Sequence, residues 1–112
     1  MIKKLTIHYF SKSVFNEVEA LPSGILARYL YLIQRMQDTG SANLGFPHTE
    51  KIDDDIFEIR AKSKEGIGRV FYCTMKSNQI WVLHSFVKKT QKIPRKELDI
   101  ANERLRELKN ER

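Results

Sequence analysis

Apolar and polar residues alternate from the start of the chain. Leu5, Ile7 and Tyr9 fall on one side and Lys4, Thr6 and His8 on the other, which predicts a half-buried strand over residues 2–10. From Ser11 the period lengthens. Ser11 is placed to cap a helix over 12–20 with Val14, Phe15 and Val18 as its buried stripe, and Leu21-Pro22 ends it. Pro22 suits the first turn of a second helix, 22–38. There Ile25, Leu26, Tyr29, Leu30, Ile33 and Met36 recur at helical spacing, and Arg28 and Arg35 lie on a different side. Asp38-Thr39-Gly40 stops that helix, and SANLGFPHTEKIDD reads as a loop with room for one short edge strand.

Three strands follow. DDIFEIRAK sets Phe57 and Ile59 against Glu58 and Arg60, while GRVFYCTM is apolar on both sides apart from Arg69, as a central strand would be. QIWVLHSFVK places Trp81, Leu83 and Val87 on one face and Val82, His84, Phe86 and Lys88 on the other. The linkers KSKEG and KSN are short enough for antiparallel hairpins. Pro94 opens a last helix with the stripe Leu98, Ala101, Leu105 and Leu108. The order β-α-α-β-β-β-α predicts one α+β domain over 1–112. A single antiparallel sheet would be covered on one face by the two N-terminal helices, and a C-terminal helix would close the chain over one core. The other sheet face would then carry Arg60, Arg69, His84 and Lys88 together.

Charge sharpens this picture. The chain has 112 residues, a formal charge of +6 and a pI near 9.6, a balance that suits either a polyanionic partner or a merely soluble basic surface. The cations gather in LHSFVKKTQKIPRKELDIANERLRE, residues 83–107, where Lys88, Lys89, Lys92, Arg95 and Lys96 occur with no acid between His84 and Lys96. The apolar run Gln79–Val87 is too short to span a bilayer, and MIKKLTIHYF has no signal-peptide core. The single cysteine, Cys73, allows no intrachain disulfide, so a cytoplasmic location is expected. Cys73 sits among apolar neighbours and reads as a buried, inert thiol. Three scattered histidines offer no metal-ligand set; His48-x-Glu50 is half of a deaminase motif whose cysteine half is missing. Neither a metal nor a small-molecule cofactor is expected.

The strand pair DIFEIRAK…GIGRVFYC, followed by VLHSFVKKTQKIPRKELDIANER, resembles toxins of the RelE/ParE superfamily, and among them the phage-derived, HigB-like branch with its LLHGFxKKTxKTPxxEI ending. The resemblance covers nearly the whole chain and rests most on His84, Phe86, Lys88, Lys89, Thr90, Lys92, Pro94, Glu97 and Ala101. Ser85 stands where Gly is usual. Ile93 stands where Thr is usual, which removes a capping hydroxyl before Pro94. The resemblance implies the toxin of a type II toxin–antitoxin system. Such a toxin is often a ribosome-dependent mRNA endonuclease (an mRNA interferase) that inhibits translation, and the resemblance implies that it is silenced by a helix-turn-helix, HigA-like antitoxin protein. Its partners would be ribosome, message and antitoxin, with no membrane. ParE-type relatives instead inhibit DNA gyrase without cutting RNA, and a phage regulatory binding module is a third possibility; fold alone does not choose among them.

Metal-free cleavage needs the ribose 2′-hydroxyl to attack the adjacent phosphorus, cations to hold the developing charge, and groups that exchange protons. Arg60 and Arg69 are the candidate phosphate clamp, the alternative being that they pair with Glu58 or with Asp53–Asp55. His84 is either a proton-exchanging group or a structural strand histidine, and Lys88 is an acid, a base or a fixed charge. Phe86 either stacks an RNA base or packs. Lys89, Lys92, Arg95 and Lys96 would form one wall of an RNA-binding surface, extended by Arg28 and Arg35 towards ribosomal RNA. The antitoxin is expected on the two N-terminal helices or on the basic sheet face.

Overall fold

The computed structural model describes residues 4–88 and 92–111. Its elements are β1 (Thr6–Tyr9), α1 (Lys12–Glu19), α2 (Ser23–Thr39), β2 (Thr49–Asp53), β3 (Ile56–Ser63), β4 (Gly66–Met75), β5 (Gln79–Lys88) and α3 (Arg95–Glu111). The strands form one sheet in the order β1-β5-β4-β3-β2, so the chain is α+β, with β2 as the additional edge strand. Pairings β2–β3, β3–β4 and β4–β5 are antiparallel. β1 instead lies parallel to β5, because α1, α2 and the rest of the sheet intervene before the chain returns beside it.

Local chemistry explains the helices. The Ser11 hydroxyl accepts from Val14 N at 3.2 Å and caps α1. Pro22 offers α2 no side-chain cap, and Glu65 Oε1, from the turn between β3 and β4, accepts from Gly24 N at 2.6 Å in its place. Gly40, at φ 70°, ends α2 in the left-handed conformation open to glycine. The buried stripe of α2 is Ile25, Tyr29, Leu32, Ile33 and Met36. Leu30, expected inside, is 49 % exposed, since the i, i+4, i+7, i+11 phase from Ile25 selects Leu32. α2 reaches the sheet at Gly68, where a Cβ would stand 2.3 Å from Ile25 Cγ2.

The expectation of a single core is corrected. α1 and α2 bury Val14, Val18, Tyr29, Leu32 and Met36 against Ile59, Ala61, Val70, Tyr72, Ile80 and Val82 on one sheet face. α3 packs on the opposite face, where Ala101, Leu105 and Leu108 meet Ile56, Phe71, Cys73 and Leu83. The strict alternation expected along β5 also fails. A bulge opposite Phe71/Tyr72 pairs His84 with Phe71 and Val82 with Tyr72, leaving Leu83 as the extra residue. Trp81 and Leu83 therefore share the α3 face with Phe86 and His84, while Val82 packs with Ile80 under α1 and α2.

Candidate nucleic-acid interface

The registers of β3, β4 and β5 lay the expected residues in adjacent rows. Arg60, Arg69 and Phe86 stand opposite one another in one row, and Glu58, Phe71 and His84 in the next towards α3. Lys62, Ile67 and Lys88 form the row on the far side. Period-2 geometry thus brings Arg60, Arg69, His84, Phe86 and Lys88 onto one face, as the sequence implies. Burial grades along the rows: Glu58 and Arg69 are buried, Arg60, Phe86 and Lys88 are part-exposed, and Lys62 is exposed.

Glu58 is the pivot. Its carboxylate, 1 % exposed, accepts from Arg69 Nη1 at 2.9 Å on both oxygens, and Arg60 Nε lies 3.8 Å from Oε1. Desolvation raises the Glu58 pKa and outweighs the opposing pull of Arg69 and Arg60. Arg69 is thus held inside the protein, while Arg60, with 17 % of its side chain exposed, presents the more accessible guanidinium. The acidic run Asp53–Asp55 serves α3 instead: Asn102 Nδ2 donates to Asp53 at 3.1 Å and Lys109 pairs with Asp55 at 2.7 Å.

His84 is buried and held on both ring nitrogens. Arg104 Nη1 donates to Leu83 O at 2.7 Å and reaches His84 Nδ1 at 3.4 Å. A guanidinium has no acceptor, so Nδ1 accepts and Nε2–H donates to Glu97 Oε1 at 2.8 Å. The imidazole is a tie between β5 and the first turns of α3. Sequence reasoning passes over Glu97 and Arg104 as partners of this histidine. Their signal is present, since positions 97, 101, 104 and 108 share one helical face with the buried Ala101 and Leu108. Phe86 packs edge-on against Phe71 at 5.2 Å. Cys73 is buried, and desolvation pushes its thiol up to about 11.

The remaining expected cations are spread. Lys92, just before α3, and Arg95 and Lys96, in its first turn, are exposed, and Arg95 pairs with Asp99 at 3.1 Å. Lys89 lies outside the described residues. Arg35 is exposed on α2, away from the rows; Arg28 turns towards the outer edge of β3. No helix among the described residues is long and apolar enough to cross a membrane.

The sequence profile of the family described as "Phage derived protein Gp49-like (DUF891)" matches residues 16–106, from within α1 to within α3. The chain belongs to this family. All three rows and the His84–Glu97 tie lie inside the matched Gp49-like region. Comparison with curated proteins gives no match. Among solved structures the chain is similar to one described as "Crystal structure of archaeal RelE-RelB complex from Pyrococcus horikoshii OT3". The TM-score is 0.49 and the identity 21 %, over 82 % of this chain and 100 % of that one.

Proposed function

We propose that this Gp49-like chain is the toxin of a type II toxin–antitoxin pair, of the HigB-like branch, and that it cuts messenger RNA on the ribosome. The observation that carries the reading is the register that sets Arg60 and Arg69, and Lys62 and Lys88, in neighbouring rows on one sheet face, beside a C-terminal helix whose first residues add Arg95 and Lys96, with Lys92 just before it. A phosphodiester laid along the exposed end of those rows meets cations from adjacent strands. Arg60 and Lys88 are the residues we assign to phosphate contact. Arg69, through Glu58, fixes the direction of Arg60. His84, through Glu97 and Arg104, fixes where α3 begins relative to β5.

In the reaction, a bond forms between the ribose 2′-oxygen and the adjacent phosphorus, and the bond from phosphorus to the 5′-oxygen breaks. The 2′ proton is taken up by a base and the leaving 5′-oxygen receives one, giving a cyclic phosphate and a 5′-hydroxyl end. Charge gathers on the non-bridging oxygens, where Arg60 and Lys88 lower its energy. A protein antitoxin of helix-turn-helix type silences the toxin by packing on α1 and α2 and keeping it off the ribosome. Purified toxin–antitoxin complex is then expected not to bind ribosomes, and binding as tight as that of free toxin would exclude this mode. Induced expression tests the activity: translation should stop and primer extension should find cuts inside translated messages. Intact messages accompanied by DNA breaks and SOS induction would replace this reading with gyrase inhibition.

A further inference from the structure

A second basic constellation lies at the outer edge of β3. β2 begins only at Thr49, so β3 beyond Ile59 has no neighbouring strand on that side. The chain closes there by a single bond from Arg60 N to His48 O, 2.9 Å long. Next to it is a pocket of about 240 Å³ lined by Arg28, Pro47, His48, Arg60 and Lys62. Three residues bearing permanent cations and one imidazole line it, and among the described residues no carboxylate does. Glu58 touches the arrangement only from behind, 3.8 Å from Arg60 Nε, and that nitrogen, though buried, makes no hydrogen bond. Arg60 and Lys62 come from the α3 face of the sheet, and Arg28 reaches the same space from α2 on the other face.

Aromatic surface flanks the pocket. The Arg28 guanidinium stands 5.0 Å from the centre of the Tyr31 ring. Tyr31 is 50 % exposed, and Phe46, which directly precedes Pro47, is 73 % exposed. Planar guanidinium forks suit phosphate oxygens, and exposed rings suit unstacked bases. An acidic peptide would use the cations but not the rings.

We infer that the Arg28–His48–Arg60–Lys62 pocket binds a phosphodiester of single-stranded RNA, one belonging to the message itself, with a neighbouring base on Phe46 or Tyr31. The inference rests on the proposed function, because Arg60 is shared: the pocket continues the phosphate track of the cleavage face around the β3 edge. It adds His48 and Lys62 as RNA contacts and gives Arg28 a ligand different from ribosomal RNA.

The test is anisotropy of a fluorescein-labelled, single-stranded oligoribonucleotide, titrated with the intact protein at several salt concentrations. The Arg28→Ala/Lys62→Ala variant should bind about tenfold or more weakly. Its plot of log affinity against log salt should be flatter by roughly 0.7 for each phosphate that the variant no longer neutralises. Tyr31→Ala/Phe46→Ala, at two exposed positions, should weaken binding about fivefold or more without changing that slope, as removal of the stacking rings does. Wild-type affinity and slope in the Arg28→Ala/Lys62→Ala variant would overturn the inference. So would displacement of the RNA by a glutamate-rich peptide at equal charge concentration. The two failures separate: the pocket fails if the Arg28→Ala/Lys62→Ala variant binds as the wild type does, whether or not the protein cuts RNA. The cleavage reading fails if the wild type leaves translated messages whole, however well it holds the oligoribonucleotide.

Discussion

The two faces of the sheet bury their side chains by different means. Under α1 and α2 the contacts are apolar, and the tyrosine hydroxyls taken inside are satisfied: Tyr9 and Tyr29 pair at 2.8 Å, and Tyr72 donates to Ala42 O at 2.7 Å. Under α3 the apolar cluster covers part of the face. The neighbouring rows carry Glu58, Arg69 and His84, all buried and all held by charged partners. Apolar burial stabilises a fold directly, whereas a buried ion pair roughly offsets its own desolvation. Residues of similar volume would fill the Glu58–Arg69 site at no loss of stability. This pair adds little net stability, and it sits beside the part-exposed Arg60 and Lys88, the residues proposed to contact phosphate.

Substitutions on the two faces should separate the two modes of burial. The largest loss is expected from Glu58→Ala, which strips the carboxylate from buried Arg69 and should cost about 3–5 kcal/mol in chemical denaturation. Replacing both partners sharpens the point: Glu58→Leu with Arg69→Met should return stability close to wild type or above it, yet leave no RNA cutting. On the opposite face, Leu32→Ala should cost about 2–5 kcal/mol through the cavity it leaves, with activity per folded molecule unchanged. Tyr72→Phe, which orphans the Ala42 carbonyl, should cost about 1 kcal/mol.

The smallest effect concerns Cys73. Its thiol, pushed up to about 11 by burial, stays protonated at pH 8, well below that value. Labelling by a thiol reagent at pH 8 should therefore proceed no faster than unfolding. Rapid stoichiometric labelling of the folded protein would mean that the α3 face is open at this point.

Much of the fold is legible in the sequence because it follows from short-range periodicity. The Ser11 cap of α1, the stops of α1 and α2, the runs of β3 to β5, and the placing of Arg60, Arg69, His84 and Lys88 on one face all depend on neighbours a few residues apart. What is not legible depends on packing. Leu30 and Leu32 are equally apolar, and only the phase of α2 against Gly68 decides which is buried. A bulge adds one residue to a ladder, and β5 offers no glycine to announce it, so simple alternation puts Leu83 on the wrong face. β1 pairing parallel to β5 and α3 crossing to the second sheet face are long-range choices that local pattern does not encode. In the sequence Glu58 reads only as a counter-charge. Its burial between two arginines becomes visible once Arg60 and Arg69 are in register across the strands.

In the proposed function the cations of the α3 face act on RNA and are not needed to hold the fold. Arg60→Ala tests it most directly, in a reconstituted translation reaction with purified ribosomes and a defined message read by primer extension. Wild-type protein should cut within the translated region. Arg60→Ala should cut at about one-hundredth of that rate or below, with its thermal midpoint within a few degrees of wild type. A message left whole by the wild-type protein, or cut by Arg60→Ala at the wild-type rate, would contradict the account.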